Sequence, residues 1–157
     1  MITEPVSNVQ KYAKLPATYI TTHYETYNNI QEIIKISKYL RSNNKLMGIA
    51  IKPSTPLSKI IDILPLFDLV LVMSVEPGES GQVFIESTYD KIRQLRSTID
   101  ERKLNIKIEV DGGINTGNMQ KVVNAGADIL VMGNAMFMAN DRAELVKTIK
   151  LMYRHQE

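Results

Sequence analysis

Cysteine is absent from the 157-residue chain, which removes disulfides, thiolate nucleophiles and every Cys-based zinc or iron–sulfur site. Histidine is scarce, with only His23 and His155. An excess of one charge is also lacking. Nineteen basic against 17 acidic side chains leave a net charge of +2, and no run of five like charges occurs, so the sequence shows no electrostatic footprint for nucleic acid or an anionic membrane. No apolar run approaches the roughly 20 residues of a membrane span. The opening stretch MITEPVSN lacks the basic and apolar regions of a signal peptide, which makes the reducing cytoplasm the expected location. Eight glycines, six prolines and 23% charged residues are ordinary usage, so disordered and low-complexity classes are excluded. What is present is 44% hydrophobic content, enough for one domain over residues 1–157 that buries roughly 70% of the surface its unfolded chain exposes.

Short β-branched runs alternate with segments of helical period, the pattern of a parallel sheet with helical crossovers. Strands are expected at 18–22, 46–51, 69–73, 106–110 and 129–132. Ile30, Ile33, Ile34 and Leu40 form one apolar stripe, and Tyr89, Ile92, Leu95 and Ile99 another, so both segments read as amphipathic helices. A helix after the fourth strand takes Asn115 or Thr116 as N-cap and stops at Gly126, and a last helix starts at Asp141. Weaker segments near 9–13 and 57–64 complete the alternation.

Five parallel strands suit either an open doubly wound sheet or most of a (β/α)8 barrel. The period-two pattern separates the two. Lys107, Glu109 and Asp111 fall on one face of the fourth strand, with Ile108 and Val110 on the other, and Tyr19, Thr21, His23 and Glu25 share a face around the first. Helices bury both faces of a doubly wound sheet, so its strands read as near-continuous apolar runs. A polar face favours a barrel interior. The expectation is an α/β fold of TIM-barrel type, incomplete, with about five of the eight βα units of such a barrel.

The chemistry-bearing residues all follow strand ends, where parallel α/β folds place their sites. They are Ser74-Val75-Glu76-Pro77-Gly78-Glu79-Ser80-Gly81-Gln82, Asp111-Gly112-Gly113-Ile114-Asn115 and Gly133-Asn134-Ala135-Met136-Phe137. Glycine lets backbone N–H groups approach an anion closely, and helix starts supply unpaired donors, so the clusters suit a phosphate. Each cluster alone also reads as an ordinary βα turn. Three in succession, one of them carrying an acid, point to function.

The segments LVLVMSVEPGESGQVF, IEVDGGINTGN and AGADILVMGNAMF, with ITTHYE and IAIKPSTP before them, resemble the ribulose-phosphate 3-epimerase family in order and spacing over nearly the whole chain. The resemblance implies a (β/α)8 barrel and an isomerase of pentose phosphate metabolism that interconverts D-ribulose 5-phosphate and D-xylulose 5-phosphate with a divalent metal, commonly zinc. Allulose 6-phosphate epimerases share the pattern. By the resemblance Asp111 is one of two aspartates that exchange the C3 proton and is also a metal ligand, although an aspartate before Gly-Gly is also at home as a turn residue. Gly78, Glu79, Ser80, Gly81, Gly112, Gly113, Gly133 and Asn134 become the phosphate site, and Met73 a methionine lining the active site.

The second catalytic aspartate and the other three metal ligands, two of them histidines, lie in the family's second and third strands. Met1 matches the methionine directly after the third-strand ligand, so those positions have no counterpart in this sequence. His23 matches a different histidine, in the family's fourth strand, and is expected to be structural. His155 is expected to be solvated, and Glu25 and Glu76 fall outside the family's catalytic positions. Two departures concern the phosphate end. Glu79 and Ser80 stand where the family often has an aromatic and a glycine, adding negative charge and giving up access to positive φ. Asn134 replaces a serine but still donates through its amide. The chain taken alone is expected to be inactive. It would then be either the larger part of an epimerase, completed within one polypeptide or by another chain, or a non-catalytic remnant that binds phosphate or a partner. A homo-oligomer is compatible with either.

Overall fold

A computed structural model describes residues 4–79 and 81–154 of the chain. Met1, Ser80 and His155, all singled out above, lie outside the described residues. The strands are β1 (Tyr19–His23), β2 (Leu46–Ile51), β3 (Leu69–Met73), β4 (Lys107–Asp111) and β5 (Ile129–Val131), within one residue of the expected bounds. The helices are α1 (Pro5–Tyr12), α2 (Ile30–Ser42), α3 (Thr88–Glu101), α4 (Met119–Asn124), α5 (Asn134–Phe137) and α6 (Arg142–Arg154). The weak segment at 57–64 becomes two 3-10 turns, Leu57–Lys59 and Ile61–Leu66, with Pro65 inside the second.

All four strand pairings are parallel, in the order β1-β2-β3-β4-β5. A doubly wound sheet reverses its order at a switch point and so carries helices on both faces. Here the order never reverses. Right-handed crossovers that all advance in one direction leave every helix on the same face, which is the geometry of a barrel wall. Burial follows this asymmetry most clearly in β4, whereas Ala50, Leu69 and Met73 are buried on the other face too. Met47, Ile49, Ile51, Val70, Val72, Ile108 and Val110 are fully buried and meet Ile33, Ile36 and Leu40 of α2, Ile92, Leu95 and Ile99 of α3, and Val122 of α4 in one core. The register aligns the opposite face in rows, His23 with Ala50, Leu71 and Glu109, and Met73 with Asp111 and Val131. On that face Lys107 is exposed, and Glu109, Asp111, Ile129 and Val131 are half-buried.

At the N-terminal end of the sheet one device occurs twice. Asp68, just before β3, accepts the Met47 N–H at 2.8 Å, and Asp128, just before β5, accepts the Ile108 N–H at 2.7 Å. Each carboxylate thereby satisfies the backbone donor of the neighbouring strand as it enters the sheet. The helix starts partly differ from expectation. Asp141 caps α6 by accepting the Glu144 N–H at 2.9 Å, but α4 begins at Met119 after Asn118, not after Asn115 or Thr116. The Asn115 side chain instead accepts the Gly117 N–H at 2.8 Å, and Asn118 accepts the Asn115 N–H at 2.8 Å. This Asx turn, a local bond that competes with helix, delays the start. Gly126, at φ +113°, ends α4 as the sequence indicates.

Candidate active site

The loops after β3, β4 and β5 enclose a cleft of about 770 Å³, lined among others by Met73, Glu76, Gly78, Glu79, Gly81, Asp111, Gly112, Gly113, Gly133 and Asn134. Ser74 ties the first two loops together. Its side chain is fully buried, its hydroxyl lies 2.9 Å from the Asp111 carbonyl and 2.6 Å from the Gly112 carbonyl, and its N–H donates to the Asp111 carbonyl at 2.8 Å. Gln82 folds the first loop over by donating its amide to the carbonyls of Glu76 at 2.6 Å and Glu79 at 2.9 Å. Asn118 donates to the Gly113 carbonyl at 3.0 Å and anchors the second loop to the start of α4.

The Gly112-Gly113 pair is required by packing. Both have positive φ, +121° and +63°, and a Cβ at Gly113 would lie 2.5 Å from the Phe84 backbone nitrogen. At Gly112 it would meet the Val75 side chain at the same 2.5 Å. Gly78 and Gly81, at +130° and +79°, face open space and are selected by backbone conformation alone. Gly133 has neither constraint, with φ −86° and no atom within 4 Å of where a Cβ would sit.

Asp111 ends β4 beside Met73 in register, and among the described residues no donor reaches its carboxylate. Burial pushes its carboxyl above the usual range. Glu109 lies one row below on the same face, likewise has no donor among the described residues, and is pushed up by burial and by the charge of Asp111. Glu25, past the end of β1, is the opposite case. Burial alone would raise it, but His23 at 3.4 Å, the Lys52 N–H at 2.9 Å and the Thr55 hydroxyl outweigh that and hold it at about 2. Lys91 of α3 closes this cluster, donating to the carbonyls of Lys52, Pro53 and Thr55 at 3.2, 2.6 and 2.8 Å. His23 is thus held against Glu25 and does not line the cleft.

Among the described residues no group of three or more His, Cys, Asp or Glu side chains is placed to hold a metal. Asp111 offers one carboxylate, and the other described side chains do not complete a donor set. Sequence reasoning assigns the glycine loops, Met73 and Asp111 to one place, and the cleft gathers all of them that are described. It gives no role to Ser74, Gln82, Asn118, Thr55 or Lys91. Serine and glutamine in a loop carry no signature of their own, whereas an aspartate just before an apolar strand run, in FDLVLV and GADILV, is a repeated pattern that could reveal Asp68 and Asp128.

Two solved structures share the fold. A 3-hexulose-6-phosphate synthase superposes with a TM-score of 0.67 at 17% identity, covering 94% of this chain and 67% of that one. A mutant tryptophan synthase alpha-subunit from the hyperthermophile Pyrococcus furiosus gives 0.56 at 16% identity, covering 92% and 59%. Strand order, one-sided helices and the loops at the C-terminal ends define the chain as part of a (β/α)8 barrel. Within that class it belongs to the ribulose-phosphate 3 epimerase family, whose sequence profile matches residues 1–137. The chloroplastic ribulose-5-phosphate-3-epimerase of Arabidopsis thaliana is 42% identical over 154 residues, 98% of this chain and 54% of that protein. The ribulose-phosphate 3-epimerase of Buchnera aphidicola subsp. Baizongia pistaciae is 44% identical over 138 residues, 87% and 59% respectively. That of Mycobacterium tuberculosis is 39% identical over 150 residues, 96% and 64%. The chain therefore spans 54–64% of the length of these relatives. The family uses divalent metals, and no helix among the described residues is long and apolar enough to cross a membrane.

Proposed function

We propose that the chain forms the proton-handling and phosphate-binding part of a ketose-phosphate 3-epimerase, acting on D-ribulose 5-phosphate and D-xylulose 5-phosphate. The observation that supports this best is Asp111, a half-buried carboxylate that has no donor among the described residues and opens into the cleft beside three glycine-bearing loops. Epimerisation removes a proton from the carbon beside a ketone and returns one to the opposite face. A carboxyl that opens into the cleft with no fixed donor is free to take part in that exchange, and Asp111 serves one face. A second acid must serve the other. The backbone N–H groups of Gly78 and Gly81, of Gly112 and Gly113, and of Gly133 with the Asn134 amide form the proposed phosphate end. A divalent metal, commonly zinc, would take Asp111 as one ligand, and its remaining ligands are not among the described side chains. The proposed setting is cytoplasmic, with a small ketose phosphate as partner.

The test has two arms. The 157-residue chain alone, supplied with Zn²⁺ or Mn²⁺, should show no conversion of ribulose 5-phosphate. Joined to the N-terminal portion of the Buchnera relative that precedes the matched segment, it should convert the sugar, and Asp111→Asn in that fusion should abolish exchange of the C3 proton with solvent while substrate still binds. Undiminished solvent deuterium at C3 in the Asn variant would remove Asp111 from the mechanism.

A further inference from the structure

We infer that Glu79 is a specificity-determining residue whose side chain weakens the cleft's hold on a phosphate and so narrows its preference for a phosphorylated over an unphosphorylated ketose. The inference rests on the phosphate-end reading above and adds to it a residue that works against binding. Four acidic residues line the cleft, Glu76, Glu79, Glu86 and Asp111, and no lysine or arginine does so among the described residues. The donors offered to an anion are therefore neutral, namely backbone N–H groups and asparagine amides.

The acids do not form a shared cation site, since no three of them converge. None of the three glutamates has its carboxylate in an ion pair or a hydrogen bond among the described residues. Their charges remain uncompensated. Glu79 is the best placed of them to act on the phosphate end. It sits between Gly78 and Gly81, whose positive φ values shape the turn, and Gln82 holds its carbonyl at 2.9 Å, so the residue is kept at the cleft rim. A carboxylate at the rim repels a phosphate charge through a water-like dielectric, an effect of roughly threefold in affinity. Salt screens such repulsion over about 10 Å at 0.1 M. Phosphate affinity should accordingly rise with ionic strength, the reverse of a site built on lysine and arginine.

The experiment titrates inorganic phosphate into the full chain and follows the amide resonances of Gly112, Gly113 and Gly133 at about 0.02 M and about 0.2 M KCl. The chain itself is compared with Glu79→Gln and with Asp62→Asn, which removes a charge outside the cleft. The same titrations are run with ribulose 5-phosphate and with ribulose. Glu79→Gln should bind phosphate and the sugar phosphate about threefold more tightly at low salt and flatten the salt dependence. Ribulose binding should not change, and Asp62→Asn should behave like the unaltered chain. Phosphate binding at these glycines with the same affinity and salt dependence in Glu79→Gln would overturn the inference and leave the phosphate end standing. No response of the three amides in either protein would overturn both.

Discussion

Two carboxylates lie at the same end of one sheet, and they differ in the respect that matters most. Glu25, just past the end of β1, is surrounded by donors from His23, Lys52 and Thr55 and is held at about 2. Asp111, at the end of β4, has none among the described residues and is pushed up by burial. Desolvation pushes both carboxyls up, so burial does not decide the outcome. The donors do. A carboxylate whose acceptor sites are filled is fixed and permanently charged, which suits a structural tie. One left without donors keeps its proton more readily and has its lone pairs free, which suits chemistry. The β1–β2 end of the sheet is accordingly a closed network, and the β3–β5 end an open cleft.

The largest effect expected concerns the backbone of the open end. Gly113→Val places a branched side chain at φ +63° and 2.5 Å from the Phe84 nitrogen, so the chain should lose about 3 kcal/mol or more of stability, read by urea unfolding. Gly133→Ala, where a Cβ meets nothing within 4 Å, should change stability by less than about 0.5 kcal/mol. The pair separates packing from ligand contact, and Gly133→Ala is the variant suited to probing the phosphate end. Equal stability of both variants would mean that the loops after β3 and β4 do not pack as described.

A middle-sized effect is expected at the closed end. Glu25→Gln keeps the shape but replaces an anion that accepts from three groups, and should cost about 1–3 kcal/mol at neutral pH. The pH dependence has a definite sign. The carboxyl is lower in the folded chain, at about 2 against an ordinary value of 4.5, so its stabilisation is complete above the unfolded value and fades as pH falls from about 4.5 to about 2. The difference in stability between the chain and Glu25→Gln should therefore shrink over that interval. A difference that stays constant would show that packing, and not the charge, is what the residue contributes.

Much of this is legible in the sequence because it is written in periodicities. The two-residue alternation of Lys107, Glu109 and Asp111 separates the faces of β4, and its polar face argues for a barrel, as the unreversed strand order does independently. The glycine loops are legible as a group, yet their reasons are not. Gly113 is fixed by Phe84, which lies 29 positions earlier, and contacts that distant leave no local pattern. The contrast between Glu25 and Asp111 is hidden for the same reason. Both are acids near strand ends, and the donors that distinguish them come from Lys52 and Thr55, across a strand neighbour.

The smallest effect sharpens the contrast most. Glu109 shares the face of Asp111 and also has no donor among the described residues, so its charge is a liability that burial and Asp111 both increase. A carboxyl that titrates higher in the folded than in the unfolded chain destabilises the fold at pH values above its folded value, and has no effect below its unfolded one. Glu109→Gln should thus raise stability at neutral pH by less than about 1 kcal/mol, since solvent screens a group that is only half-buried. The gain should vanish in acid, the reverse of the behaviour at Glu25. Because part of the shift comes from Asp111, the gain should also be smaller in an Asp111→Asn background, a coupling that a double-mutant cycle measures directly. Additive effects of the two substitutions would show that the two carboxyls are independent, and that burial alone sets the state of the cleft.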